Sequence, residues 1–142
     1  MKINKIQDEI ISEFEDLTDW MDRYNYLIEL GNKLIPLEQK FKTDDYLIRG
    51  CQSKVWLKAD FNNGKISFSA DSDALIVKGI VALLLRVFSE QKASDIIYAD
   101  LYFIDKIGLK ENLSPTRSNG LVSMIKKMKM YALAYQVKHN PS

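Results

Sequence analysis

Apolar residues recur at three- and four-residue steps along the start of the chain, at Ile3, Ile6, Ile10, Phe14 and Leu17, which predicts an amphipathic helix from residue 3 to about 17. Lys5, Asp8, Glu9 and Glu13 fall on its other face. Thr18 or Asp19 offers an N-cap for a second helix, in which Trp20, Tyr24, Leu27, Ile28 and Leu34 continue the helical period until Ile35-Pro36 stops it. At this spacing Trp20, Tyr24 and Tyr26 read as a packing face rather than a ligand box. From Leu37 to Asp45 the sequence is polar and aperiodic apart from Phe41, which reads as a loop leading into Tyr46-Leu47-Ile48 and a Gly-Cys turn. Val55, Leu57, Ala59 and Phe61 then alternate with Lys54, Trp56, Lys58 and Asp60, Asn62-Asn63-Gly64 supplies a turn, and Ile66, Phe68 and Ala70 alternate on the way back. Period two on both sides of a left-handed turn predicts a β-hairpin.

Asp71-Ser72-Asp73 offers acceptors and negative charge to the first turn of a helix running from Ala74 to about Phe88. That helix is apolar nearly all round, so it is expected at the centre of the core. Lys78 and Arg86 leave it short of the roughly 18–20 uninterrupted apolar residues a membrane span needs. Gly79, which costs about 1 kcal/mol of helix propensity relative to alanine, is expected to mark close packing against the sheet. Ser94-Asp95 reads as another helix start, and Tyr102 to Ile107 as a short helix ended by Gly108. Leu113 to Gly120 is dense in turn residues and reads as a loop. A last helix follows, with Leu121, Met124, Ile125, Met128, Ala132 and Tyr135 inward and Lys126, Lys127 and Lys129 outward, a solvated face with partner or nucleic-acid contact as the alternative. Met124, Met128 and Met130 are expected to fill gaps in the core, and Val137 to Ser142, with the single histidine His139, to be a frayed tail.

The 142 residues fit one domain with a core that needs no covalent staple. Charged residues at 27% and hydrophobic ones at 46% are ordinary for a folded soluble chain. A net charge of +1 gives no global attraction to nucleic acid or to an anionic membrane. One cysteine excludes an internal disulfide framework and fits a reducing cytoplasm, and the N-terminus lacks the continuous apolar run of a secretory signal.

That cysteine is the candidate for chemistry. Cys51 follows a glycine at the entrance to the first hairpin strand and is flanked by Gly50, Gln52 and Ser53, whereas an inert thiol usually sits in an apolar periodic run. A reactive thiol and an inert one both remain open on these grounds. The only histidine lies in the terminal segment, which disfavours a Cys-His hydrolase. One cysteine and one histidine are too few for a zinc or iron–sulfur site built on thiolates, and there is no P-loop, dinucleotide fingerprint or His-Glu-x-x-His. What survives is chemistry needing a single sulfur, such as relay of a persulfide sulfur by the substitution logic of thiol–disulfide exchange. Arg49 and Lys54 would favour the thiolate by charge, and a turn at a sheet edge would let the cysteine swing between sheltered and exposed positions.

Four segments in order carry a resemblance over almost the whole length: Tyr24 to Gly31, Gly50-Cys51-Gln52-Ser53-Lys54-Val55-Trp56, Asp71-Ser72-Asp73-Ala74-Leu75-Ile76-Val77-Lys78-Gly79, and Leu113-Ser114-Pro115-Thr116-Arg117-Ser118-Asn119-Gly120-Leu121. In these the chain resembles the SufE family of cysteine desulfurase accessory proteins. The resemblance implies an α+β fold, an antiparallel sheet with helices packed on it, similar to scaffold proteins of the IscU type but without their metal-binding cysteines. It implies that Cys51 accepts sulfur as a persulfide from a pyridoxal-phosphate desulfurase of the SufS type, that the chain stimulates that enzyme, and that the sulfur passes to a SufBCD-like cluster-assembly complex. The pyridoxal phosphate would belong to the donor, so no cofactor is expected on this chain. Arg117 would position partner or persulfide by charge, or else bond loop carbonyls; Asp71 and Asp73 would tune the cysteine loop, or else act only as helix caps. A CsdE-like relay to another acceptor and a docking-only desulfurase activator are the rival functions.

Overall fold

In the computed structural model, which describes residues 2–139, two helices open the chain, α1 (Lys2–Glu15) and α2 (Trp20–Asn32). Asp19 caps α2 by accepting the Met21 N–H, and the α1 stripe Ile3, Ile10 and Phe14 is fully buried, as the periodicity predicts. Arg23 locks the junction by donating to the carbonyls of Leu17, Phe14 and Ile107. The hairpin follows as β1 (Val55–Asn62) and β2 (Lys65–Ser72), paired antiparallel from Val55 opposite Ser72 to Asn62 opposite Lys65. Its turn takes left-handed dihedrals at Asn63 (φ 53°) and Gly64 (φ 78°). A two-residue strand, β3 (Gln91–Lys92), which the alternation does not announce, joins β2 to give the order β1-β2-β3.

Helix α3 (Leu75–Phe88) is the core of the molecule, burying Ile76, Val77, Ile80, Val81, Leu83, Leu84, Val87 and Phe88 against the sheet, α1 and α2; of its large apolar residues Leu75 points out, at 61% exposure. No helix among the described residues is long and apolar enough to cross a membrane. Gly79 marks close packing, but its partner is α2 and not the sheet: a Cβ there would lie 2.1 Å from the Leu27 carbonyl oxygen, and one on Gly31 would lie 2.7 Å from the Gly79 nitrogen. Two glycines thus let two helix backbones meet where side chains would hold them apart.

Three short helices, α4 (Ala93–Ile97), α5 (Phe103–Lys106) and α6 (Leu109–Asn112), lead to α7 (Pro115–His139). The buried Gln7 of α1 holds this stretch, donating to the Asp100 carbonyl and accepting the Phe103 N–H. The predicted loop from Leu113 to Gly120 is instead mostly helix. Ser114 accepts the Arg117 N–H and Pro115 starts α7, so Ser-Pro acts here as a helix start, with proline where its missing N–H costs nothing. Helix α7 also runs on to His139, whose ring stacks on Phe61 at 4.2 Å, so Val137–His139 is a helical turn and not a frayed tail; residues 140–142 lie outside the described residues. Met124 and Met128 fill the core, whereas Met130 is 53% exposed. Lys129 is not simply solvated, since its ammonium donates to the Ala99 carbonyl at 2.6 Å.

The segment 37–46 covers the outer face of β1, with Lys42 over the Trp56 ring and Lys58 over Phe41. The next two residues meet the free edge of that strand, where Leu47 bridges Trp56 and the Ile48 N–H donates to the Val55 carbonyl. Farther along the same edge the Tyr135 hydroxyl of α7 donates to the Ala59 carbonyl at 3.0 Å.

Candidate functional site

The hydrogen bond from the Ile48 N–H to the Val55 carbonyl closes a six-residue loop, 49–54, that carries Cys51 beyond the end of β1. The loop is fastened at its C-terminal end: the Asp73 carboxylate accepts the Lys54 N–H at 3.0 Å, the Asp73 N–H donates to the Lys54 carbonyl, and the Ser72 hydroxyl donates to that carbonyl at 2.8 Å. Gly50 makes the turn with φ +91°, and a Cβ there would lie 2.6 Å from Ser123 Oγ of α7. Between these anchors the loop's polar contact to the rest of the described residues is one weak bond from Cys51 Sγ to the Gly120 carbonyl, 3.6 Å long.

Cys51 is half-buried in an open cavity of about 430 Å³ between the loop and the N-terminal part of α7. Val77 and Ile80 of α3 and Met124 of α7 form the apolar side; Asp73, Thr116 and Arg117 form the polar side. Gly120 gives the sulfur room against α7, where a Cβ would come to 3.5 Å from Sγ. Burial pushes the Cys51 thiol up from its ordinary value. The charges of Arg49 and Lys54 do not lower it, contrary to the sequence-based expectation. Arg49 lines a separate hollow with Asp44, Asp45 and Lys126, and Lys54 is exposed on the loop's far end. At rest the sulfur is therefore sheltered, and burial disfavours its thiolate.

The structure brings Cys51, Asp73 and Arg117 together around one cavity and leaves Asp71 out of it. Neither aspartate caps α3, contrary to what the acceptor-rich segment suggests: Ala74 is the N-cap residue, no side chain caps it in the usual way, and its N–H goes to Ser72 Oγ. The reason is that Asp71 and Ser72 are still in β2, so their side chains are spent on the sheet's surroundings. Asp73 is the clasp of the cysteine loop. Asp71, 1% exposed, accepts the Leu37 and Ser72 N–H groups and pairs with Lys42 at 3.0 Å and Lys78 at 3.5 Å. Burial alone would raise its pKa, but the Lys42 bond, the two amides and the charge of Lys78 together hold it below the ordinary value. The Arg117 guanidinium makes no hydrogen bond to a described loop carbonyl; it is exposed on the first turns of α7, free to meet an incoming group. Gly120 and Met124 also line the cavity, a placement the sequence does not announce. A glycine six positions into a helix is a signal of close approach, but the signal is invisible while the segment is taken for a loop.

No group of three or more His, Cys, Asp or Glu side chains able to hold a metal occurs among the described residues. Residues 8–132 match the family model SufE, described as an Fe-S metabolism associated domain. An uncharacterized SufE-like protein of Rhizobium etli is 47% identical over 127 residues, covering 86% of each chain. The cysteine desulfuration protein SufE of Wigglesworthia glossinidia brevipalpis is 38% identical over 130 residues, covering 90% of each. The solution structure of a hypothetical protein from Thermus thermophilus superposes with a TM-score of 0.74 over 91% of this chain and 94% of that one; at 20% identity it attests the α+β fold.

Proposed function

From the premise that the chain belongs to the SufE family, whose domain is associated with iron–sulfur metabolism, we propose that it is a sulfur acceptor and carrier in which Cys51 takes the outer sulfur of a persulfide. The donor is a SufS-like, pyridoxal-phosphate-dependent cysteine desulfurase that the chain stimulates, the receiver is a SufBCD-like assembly complex, and the setting is the reducing cytoplasm. The observation that carries the reading is the presentation of Cys51: one sulfur, on a loop fastened at its neck, in an open cavity that offers Arg117 on its rim.

The step balances without a redox partner. The Cys51 thiol loses its proton, its sulfur attacks the terminal sulfur of the donor's persulfide, the donor's S–S bond breaks, and the donor cysteine leaves as a thiolate that can take up a proton. One persulfide is consumed and one is made. Burial lowers the thiolate fraction of Cys51 in the free protein, so ionisation is favoured at the encounter, when the loop leaves its half-buried berth and meets the donor's site. The release is undemanding, since a 3.6 Å sulfur–carbonyl bond is the loop's polar hold on the body between its anchors. The Arg117 guanidinium lies on the rim where it would attract the anionic persulfide or a carboxylate of the partner.

The test is the intact mass of the purified protein after incubation with a cysteine desulfurase and free cysteine, without reductant. One added sulfur on Cys51, removed by reductant, is the expected result, and Cys51→Ser should neither gain sulfur nor stimulate the desulfurase. An unchanged mass with a desulfurase that is active and bound, together with full stimulation by Cys51→Ser, would overturn the carrier role in favour of a docking-only activator.

A further inference from the structure

Helix α7 turns one face to Cys51 and another to a furrow the sulfur site does not use. The furrow, about 600 Å³, runs between α7 and the α4–α6 stretch. Its floor is apolar, with Ile97, Leu101 and Ile104 on one side and Leu121 and Ile125 on the other. Three large apolar side chains of α7 that face it stand out in solvent: Val122 at 55%, Met130 at 53% and Leu133 at 52% exposure. Their positions, 122, 130 and 133, with Lys126 between, fall on one stripe of the helix over about 16 Å, roughly three turns. Contiguous exposed apolar surface rimmed by charge marks an interaction site more often than scattered exposed residues do.

Charge narrows the partner. Over its 25 residues α7 carries Arg117, Lys126, Lys127, Lys129 and Lys138 and no acidic residue, in a chain whose net charge is only +1. The positive charge is thus concentrated on this helix while the rest of the chain is net acidic. Lys110 and Lys126 stand on the two banks of the furrow and Asp100 is the one carboxylate lining it. Among the described residues Lys126 makes no salt bridge, and Lys110 meets Asp105 only at 3.9 Å.

We propose that this furrow docks an acidic amphipathic helix of a partner protein, its apolar stripe on Met130, Leu133 and the furrow floor and its carboxylates between Lys110 and Lys126. Helix-in-groove recognition uses a concave apolar trough, and the charge that flanks this one is mostly positive, with Asp100 the exception. A lipid surface is flat and suits a protruding helix, whereas this apolar stripe forms one wall of a trough. A second copy of the chain would bring two acid-free α7 helices together against their own repulsion.

The probe is a synthetic, N-acetylated 16-residue peptide with Leu at i, i+4, i+8 and i+11 and Glu on the remaining face, alongside a scrambled peptide of equal composition. Added to the isotope-labelled full chain, the patterned peptide is expected to shift amide resonances of residues 97–110 and 121–133, with affinity falling as salt rises. Leu133→Ser and Met130→Ser, both at exposed positions, should each weaken it by about tenfold while the circular dichroism stays native. Lys126→Glu should weaken the Glu-faced peptide and strengthen a Lys-faced one. Equal binding of the scrambled peptide, shifts confined to the Cys51 cavity, or no binding would each overturn the proposal. So would binding to phosphatidylserine vesicles in place of the peptide, or concentration-dependent dimers abolished by Leu133→Ser.

Discussion

Replacing Gly79 by alanine should destabilise the protein although alanine is the better helix former. A Cβ at Gly79 would lie 2.1 Å from the Leu27 carbonyl oxygen and 2.6 Å from the carbonyl carbon, where ordinary contact begins at 3.4 Å. The obstacle is backbone, so no side chain can turn aside, and α2 and α3 must part by more than an ångström. That strains the packing of Leu27 and Ile80, both at 2% exposure or less, and of the α3 face that carries Val77 and Ile80 to the floor of the cysteine cavity. Overpacking of this kind costs up to about 3 kcal/mol, against about 1 kcal/mol returned by helix propensity, leaving a loss of about 2 kcal/mol. With a urea m-value of about 2 kcal/mol/M for a chain of this size, the unfolding midpoint should fall by about 1 M. Tryptophan fluorescence and far-ultraviolet circular dichroism should trace the same shift. Gly31→Ala, whose Cβ would meet the same contact at 2.7 Å, should cost less, and the double variant should lose less than the sum because one separation relieves both. An unchanged or higher midpoint for Gly79→Ala would refute the helix contact described for this pair.

At Gly120 the two directions separate. Gly120→Ala places a Cβ at an ordinary 3.5 Å from Cys51 Sγ and should stabilise α7 by up to about 1 kcal/mol, whereas Gly120→Leu fills the sulfur's berth and should raise the rate of Cys51 alkylation by iodoacetamide; equal rates for both variants would show that the berth does not shelter the thiol. In the native protein the alkylation rate should climb toward a plateau at higher pH than for a free cysteine peptide, because burial disfavours the thiolate, and a midpoint at or below the peptide's would contradict that. Asp71→Asn should lower stability by about 1–3 kcal/mol at pH 7. The folded carboxyl sits below its unfolded value, so its stabilising effect is complete above about pH 4 and is lost as pH falls through the folded pKa; the native-minus-variant gap in urea melts should therefore shrink in acid, and a gap constant from pH 7 to pH 2 would refute the ion-pair account.

What could be read in the sequence was whatever repeats locally. The α1 stripe, the hairpin alternation and the apolar α3 each advertise a period, and the Asn63-Gly64 turn states its own dihedrals. Cys51 stood out because its neighbours are polar. The misreadings share a cause, which is that a residue's partner came from elsewhere in the fold. Ser114-Pro115 has the composition of a loop and the geometry of a helix start; Asp71 looks like a cap but is buried by Lys42 and Lys78, far off in sequence or on the next helix. Arg49 and Lys54 adjoin the cysteine in sequence, yet the cation on the rim of its cavity is Arg117, sixty-odd positions away and on α7. Likewise β3 is too short to carry a period and exists because Ile66 and Lys65 offer it a ladder.

The free edge of β1 has a consequence for how the molecule behaves in a crowd. An uncovered strand edge is a template on which another chain can add itself, and a three-stranded sheet with a two-residue third strand has little else to hide behind. Here Val55 and Ala59 present their carbonyls toward that edge, and each is already taken: Val55 by the Ile48 N–H, Ala59 by the Tyr135 hydroxyl reaching down from α7. The length of edge left open for strand addition is shorter than the strand itself, and one phenol supplies part of the closure. Tyr135 thereby narrows the stretch of edge open to strand addition, and the same helix that shelters the sulfur at its beginning covers part of the sheet's edge near its end.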